Sequence, residues 1–232
     1  MTKVSKKKKV VTEERYHGPL ITNGVSLGYI KLFSWISLVV SFMAYFGTTY
    51  IDHIGIYKIL FIICMLISGI AIPLSFFDRF IVRFKSFIYL FVSILVLILN
   101  VDVTFICLVM LVGNDGIYSG LALAYNLIAL CILLFSIGLY SWYYLPKNQG
   151  KIWAFNRWET YGGKDNDKKQ ERLFNVGVAF VAVLLAPAIL TGYIENIFGV
   201  FLGIMMNLFL PALIVDGVQA TRYVRKHPEY EE

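Results

Sequence analysis

Residues 93–113, "SILVLILNVDVTFICLVMLVG", decide the fold class, because so long an apolar stretch is not typical of a soluble protein. The stretch belongs to an apolar block at 86–113. About 20 residues at a helical rise of ~1.5 Å cross a ~30 Å hydrocarbon core, so apolar blocks of ~18 residues or more predict spanning helices. Apolar and polar residues do not alternate here as they do in the strands of membrane barrels. The block therefore predicts a transmembrane α-helix.

The composition of the whole chain agrees with this interpretation. Of its 232 residues 58% are hydrophobic and 16% are charged, and the mean hydropathy is +0.70. Soluble domains carry about 25% charged residues. We therefore predict an all-α polytopic membrane protein, a six-transmembrane-helix bundle with short external loops. The predicted helices are residues 29–50, 54–77, 86–113, 117–144, 173–194 and 197–215.

This prediction divides the chain into three parts. Residues 1–28 form a basic N-terminal segment, residues 29–218 form the membrane domain, and residues 219–232 form a C-terminal tail. The membrane domain includes one sizeable polar loop at 145–172. All other connections are only a few residues long.

The distribution of basic residues predicts the orientation. All of the 21 Lys and Arg residues except Lys31 and Lys58 fall in the N-terminal segment, the second loop, the fourth loop or the C-terminal tail. These segments all lie on one side of a six-helix topology, and loops rich in Lys and Arg stay in the cytoplasm. We expect a multi-pass protein of the cell membrane with both termini cytoplasmic. The basic residues favour anionic lipid as a partner on that face and give no reason to expect nucleic acid.

Aromatic residues near the fourth loop predict anchors at the membrane surface. Trp142 lies near the end of the fourth predicted helix, and Trp153, Phe155 and Trp158 follow among basic residues. Tryptophan and its neighbours in such positions are typical of the interface between headgroups and hydrocarbon.

Polar residues inside the predicted helices form the candidate intramembrane site. Asn100 and Asp102 interrupt the third predicted helix, where an unpaired charge costs about 3 kcal/mol on insertion scales. Candidate partners of Asp102 are Asn126, Lys58 and His53, and Asn207 of the sixth predicted helix completes the candidate site. We expect an ion pair between Asp102 and Lys58 that holds two helices together. The alternatives are a cation or proton site at Asp102 and exposure of Asp102 to solvent above the membrane.

Small residues predict close packing of the last helix. Gly199, Gly203, Asn207 and Pro211 recur every four residues and therefore share one face. Such stripes allow the backbones of two membrane helices to approach. We expect this face to pack on the preceding predicted helix, which contains Pro187.

No catalytic or metal-ligating constellation stands out, so we expect neither an enzyme nor a cofactor. The expected function is that of a non-enzymatic bacterial membrane protein acting through helix–helix interactions with another membrane protein or a second copy. An accessory or immunity protein of a secretion, toxin or bacteriocin system is an example. The alternative is a small ion or solute transporter, or a channel-like subunit, that uses the polar residues of helices three and six.

Overall fold

The computed structural model describes residues 29–113, 116–145 and 194–226, and these residues form an all-helical bundle. Five of the helices are long and apolar enough to cross a membrane. The prediction of a helical membrane protein is thus confirmed in this coarser form. The predicted span at 173–194 lies outside the described residues except for Ile194, which begins the last helix. The helices are α1 (Tyr29–Ile51), α2 (Ile56–Leu74), α3 (Asp78–Arg83), α4 (Lys85–Val112), α5 (Gly120–Tyr143) and α6 (Ile194–Lys226).

Helix α4 lies at the centre of the described bundle. Its interface with α6 is the largest, α1 packs on both α4 and α2, and α5 packs on α6. Helix α4 runs parallel to α1, since Ser37 bonds Leu95 and Ser41 bonds Asp102. It runs antiparallel to α6, whose Thr221 bonds Ser86 near the start of α4.

Helix α4 is continuous through "NVDV", so the polar residues do not break it. Its 28 residues span about 42 Å, which exceeds a ~30 Å hydrocarbon core. Helix α6 begins before the predicted start at 197 and continues beyond 215 into the predicted tail. Hydrogen bonds to the start of α4 stabilise this extension. Thr221 exchanges two hydrogen bonds with Ser86, of 3.2 and 3.3 Å, and Arg225 donates a third to the Ser86 hydroxyl.

The exposed surface of the bundle is apolar. Phe42, Met43, Leu66 and Phe135 are each more than half exposed, whereas serine and threonine hydroxyls are buried between helices. Large apolar side chains on the outside are favourable only in contact with lipid or another protein. The described part of the chain therefore has the surface of a multi-pass membrane protein.

Polar interactions close the two ends of the bundle. At the basic end, where α1 and α4 begin and α6 ends, Lys31 forms an ion pair with Asp78 at 3.4 Å. At the opposite end, Asp52 accepts the N–H groups of Gly55 and Lys58 and the Tyr118 hydroxyl. Burial would raise the pKa of Asp52, but these hydrogen bonds outweigh burial and lower the pKa below its ordinary value of 3.8.

Candidate functional site

Helix α4 carries Asn100 and Asp102 on opposite sides. Asn100 and Asp102 are 1% and 0% exposed. Residues two apart on an α-helix point about 200° away from each other. Asn100 therefore belongs to the side of α4 that meets α6, and Asp102 belongs to the side that meets α1.

Four polar side chains from three helices line one cleft of about 150 Å³, which we name the asparagine cleft. They are Asn100 and Thr104 of α4, Asn126 of α5 and Asn207 of α6. The three asparagines of the predicted intramembrane site are thus brought together, whereas Asp102 and Lys58 do not line this cleft. Sequence reasoning missed Thr104, although it follows Asn100 by one helical turn and so lies on the same face.

Side chains of α2 and α5 that are partly exposed among the described residues also border the asparagine cleft. Leu60 of α2 and Leu130 of α5 also line it and are 38% and 48% exposed.

The amides of the cleft are only partly satisfied. Asn207 Nδ2 donates to Thr104 Oγ1 at 3.0 Å and to the Gly203 carbonyl at 2.9 Å, while Asn100 Nδ2 donates to the Met206 carbonyl at 3.4 Å. The Asn126 side chain makes no hydrogen bond within the described ranges. An amide offers two donors and an acceptor with two lone pairs. Hydrogen-bonding capacity therefore remains for a group that enters the cleft.

Pro211 adds to this polarity. It lies inside α6 and has no N–H for the carbonyl oxygen of Asn207, four residues earlier, as expected from the sequence. The backbone next to the cleft thus contains an acceptor that the helix itself does not use.

Asp102 lies on the other side of α4 against a hydroxyl-rich face of α1. Ser34, Ser37, Ser41 and Thr48 are all 0% exposed and form this face, which we name the serine face. Ser41 Oγ donates to Asp102 Oδ2 at 2.5 Å. Asp102 Oδ1 is buried and has no hydrogen-bond partner among the described residues.

The prediction of an ion pair between Asp102 and Lys58 is wrong, because the two residues make no such contact in the structure. Lys58 lies in the first turn of α2, where its N–H donates to Asp52 at 2.8 Å. From α2, Cys64 lies near enough to Asp102 for the two side chains to interact electrostatically. Six residues of helix separate Lys58 from Cys64 by about 9 Å along the axis, which explains the missing pair.

The small-residue face of α6 packs against α4. A Cβ added to Gly199 would lie 2.8 Å from Met110 Cβ and 2.9 Å from the Cys107 carbonyl oxygen. A Cβ at Gly203 would lie 3.3 Å from Cys107 Cβ and would clash with the Tyr125 hydroxyl oxygen. Pro211 is buried on the same face. The expected partner helix with Pro187 lies outside the described residues, so that pairing stays a prediction.

Of the predicted membrane-surface anchors, only Trp142 lies within the described residues. It is 48% exposed near the basic end of α5. Trp153, Phe155 and Trp158 lie outside the described ranges.

Both regions consist of hydrogen-bonding side chains: amides and a hydroxyl in the asparagine cleft, and a carboxyl group and hydroxyls at the serine face. In the part of the chain that the structure describes, no three His, Cys, Asp or Glu side chains group as metal ligands. Comparison with known proteins adds no function, since no family model, curated protein or solved structure matches the chain.

Proposed function

We propose that this chain is a non-enzymatic protein of a bacterial cell membrane that binds another membrane protein from the side, through the asparagine cleft. The observation that carries the proposal is the convergence of Asn100, Asn126, Asn207 and Thr104 on a cleft that partly exposed side chains of α2 and α5 also line. Such unsatisfied amides are costly in lipid and become favourable when a polar group of a partner reaches them.

The size of the cleft favours a helix side chain as the occupant. Pockets for drug-sized solutes measure about 300–1,000 Å³, whereas this cleft measures about 150 Å³. A Ser, Thr, Asn or Gln side chain of a partner helix fits this volume and can bond to the amides. Bonds of this kind contribute on average about 0.6 kcal/mol each in membranes, so the flanking apolar surfaces of α2 and α5 supply the remainder of the contact.

The proposed topology has six spans with both termini in the cytoplasm. Helices α5 and α6 are parallel, because Tyr125 near the start of α5 contacts Gly203 in the first half of α6, while Tyr144 at the end of α5 is in electrostatic range of Asp216. Leu145 and Ile194 therefore end at opposite faces of the bundle. The predicted span at 173–194 accounts for the return of the chain, and the basic loops favour the cytoplasmic orientation.

This mode of action is that of an accessory or immunity protein, which acts by occupying a site on a membrane component. The basic end also favours contact with anionic lipid in the cytoplasmic leaflet. Two points support a role in a secretion, toxin or bacteriocin system. The proposed binding mode is analogous to that of accessory and immunity proteins, and the sequence shows no catalytic constellation.

Photo-crosslinking in the native membrane tests the proposed docking site. A photoreactive residue replaces Leu130, which lines the cleft, and a matched variant carries it at Ile128, which is 58% exposed on another side of α5. We expect a protein adduct from position 130 that weakens when Asn126 is replaced by Leu. Adducts confined to lipid or to residues 173–194 of the same chain would refute lateral docking.

A second candidate function is a small transporter or channel-like subunit. The fully buried Asp102 favours it, because intramembrane carboxyl groups are characteristic of ion and proton pathways. Purified protein in liposomes should then carry an ion or solute, and Asp102→Asn should reduce that flux. Liposomes that stay impermeable to protons and to monovalent cations would exclude ion transport.

A further inference from the structure

The geometry around Asp102 points to a proton-binding site inside the bundle, formed by its carboxyl group and the Ser41 hydroxyl. This inference is independent of lateral docking, since the site lies on the side of α4 away from the asparagine cleft. Asp102 is 0% exposed, its Oδ2 bonds Ser41 Oγ, and its Oδ1 is buried with no hydrogen-bond partner among the described residues.

No described charge compensates an ionised Asp102. The buried residues of α1 are the serine face and apolar side chains, and its Lys31 is paired with Asp78 at the basic end. Helix α2 presents Cys64, and Lys58 makes no ion pair with Asp102. The flanking buried residues of α4 itself, Leu99 and Phe105, are apolar, and α6 packs on the opposite side. A buried carboxylate with one hydrogen bond and no counter-ion is strongly disfavoured. Binding a proton removes the charge.

The oxygen atoms near Asp102 suit a proton better than a metal cation. Hard cations take about six or more oxygen ligands, whereas the described bonds give Asp102 the Ser41 hydroxyl alone. The next hydroxyls are committed elsewhere, since Ser68 Oγ donates to Ser37 Oγ at 3.0 Å and Ser37 Oγ donates to the Leu95 carbonyl at 3.5 Å. A proton needs no coordination shell.

Ser41 can serve both protonation states. A hydroxyl both donates and accepts. With Asp102 neutral, its carboxyl O–H donates to Ser41 Oγ. When that O–H bond breaks and the proton passes to water, Ser41 O–H donates to the carboxylate instead. The contact between α1 and α4 therefore persists while its direction reverses, which is the property required of a site that binds and releases a proton reversibly.

A hydrophobic carbodiimide tests the inference, because it modifies carboxyl groups in their protonated form in apolar surroundings. The full chain in liposomes is treated with dicyclohexylcarbodiimide at acidic, neutral and alkaline pH, and adducts are located by mass spectrometry. We expect an adduct at Asp102 that diminishes as the pH rises and does not change with sodium or potassium. Asp102→Asn should lose it, and Asp78, whose side chain is 82% exposed, should remain unmodified.

A second variant separates a proton site from a purely structural carboxyl group. Ser41→Ala removes the donor that stabilises the ionised form, so the loss of the adduct should shift to higher pH. A pH profile identical to that of the unaltered chain would overturn the assignment. So would an absence of adduct at every pH in liposomes when the detergent-denatured chain reacts. Protection by sodium or potassium would replace the proton site by a cation site.

Discussion

Gly199→Ala tests the packing of α6 on α4, because the added methyl group has no space. Its carbon would lie 2.8 Å from Met110 Cβ and 2.9 Å from the Cys107 carbonyl oxygen, and both atoms belong to rigid parts of α4. Overpacking of this kind costs about 1–3 kcal/mol. Alanine offsets up to ~1 kcal/mol of this cost because it is the better helix former. We expect a net loss of about 1–2 kcal/mol in the free energy of unfolding.

Gly138→Ala is the matched control. Gly138 also lies inside a spanning helix, but a Cβ there would meet nothing within 4 Å. Only the propensity gain remains, up to ~1 kcal/mol in favour of the folded state. Reversible unfolding of the purified protein in mixed micelles measures both variants. The two changes should have opposite signs, and equal midpoints for both variants would refute the close contact between α4 and α6.

Three further results are expected. Gly203→Ala should destabilise the protein, because the new methyl group would overlap with the Tyr125 hydroxyl. Tyr125→Phe removes that hydroxyl and should restore part of the lost stability. A double-mutant cycle with zero coupling would contradict this contact. Asp52→Asn should lower thermal stability at neutral pH but not at strongly acidic pH: the pKa of Asp52 is lowered when folded, so its contribution is present above 3.8 and is lost as pH falls through the folded value. In a variant without native cysteines, a membrane-impermeant thiol reagent added to intact cells should label His53→Cys and not Arg79→Cys; the reverse pattern would invert the proposed orientation.

The coarse fold could be predicted from the sequence because lipid imposes a simple rule on it. Each spanning helix satisfies its own backbone hydrogen bonds and needs an apolar run of sufficient length. The start of α1 at Tyr29 was predicted to the residue, and the other described ends except that of α6 differ by one to three residues. The end of α6 was missed, because its last turns are polar and the interaction of Thr221 with Ser86 joins residues far apart in the sequence.

The partners of the polar residues were harder to predict, since hydrophobicity does not say which helices are neighbours. The small-residue face of α6 was recognised from its spacing, but its contact with α4 depends on the three-dimensional arrangement. Ser41 was missed as the partner of Asp102 because opposite charge was given more weight than helix phase. The buried hydroxyls at 34, 37, 41 and 48 share one face of α1, and that helical period was the available signal.

The same helix phase separates the two polar sites of α4 and leads to a last prediction. Asn100 and Asp102 are close in sequence but face different helices and share no described hydrogen-bond partner. Changes at independent sites add within about 0.5 kcal/mol, whereas residues of one network couple by about 0.5–3 kcal/mol. Asn100→Ala and Asp102→Asn should therefore have additive effects on the free energy of unfolding. They should also separate in function, with only Asn100→Ala weakening the cross-link at position 130 and only Asp102→Asn abolishing the carbodiimide adduct. A coupling above about 1 kcal/mol, outside the additive range, would mean that α4 transmits a change at the proton site to the asparagine cleft, and the two sites would then have to be treated as one.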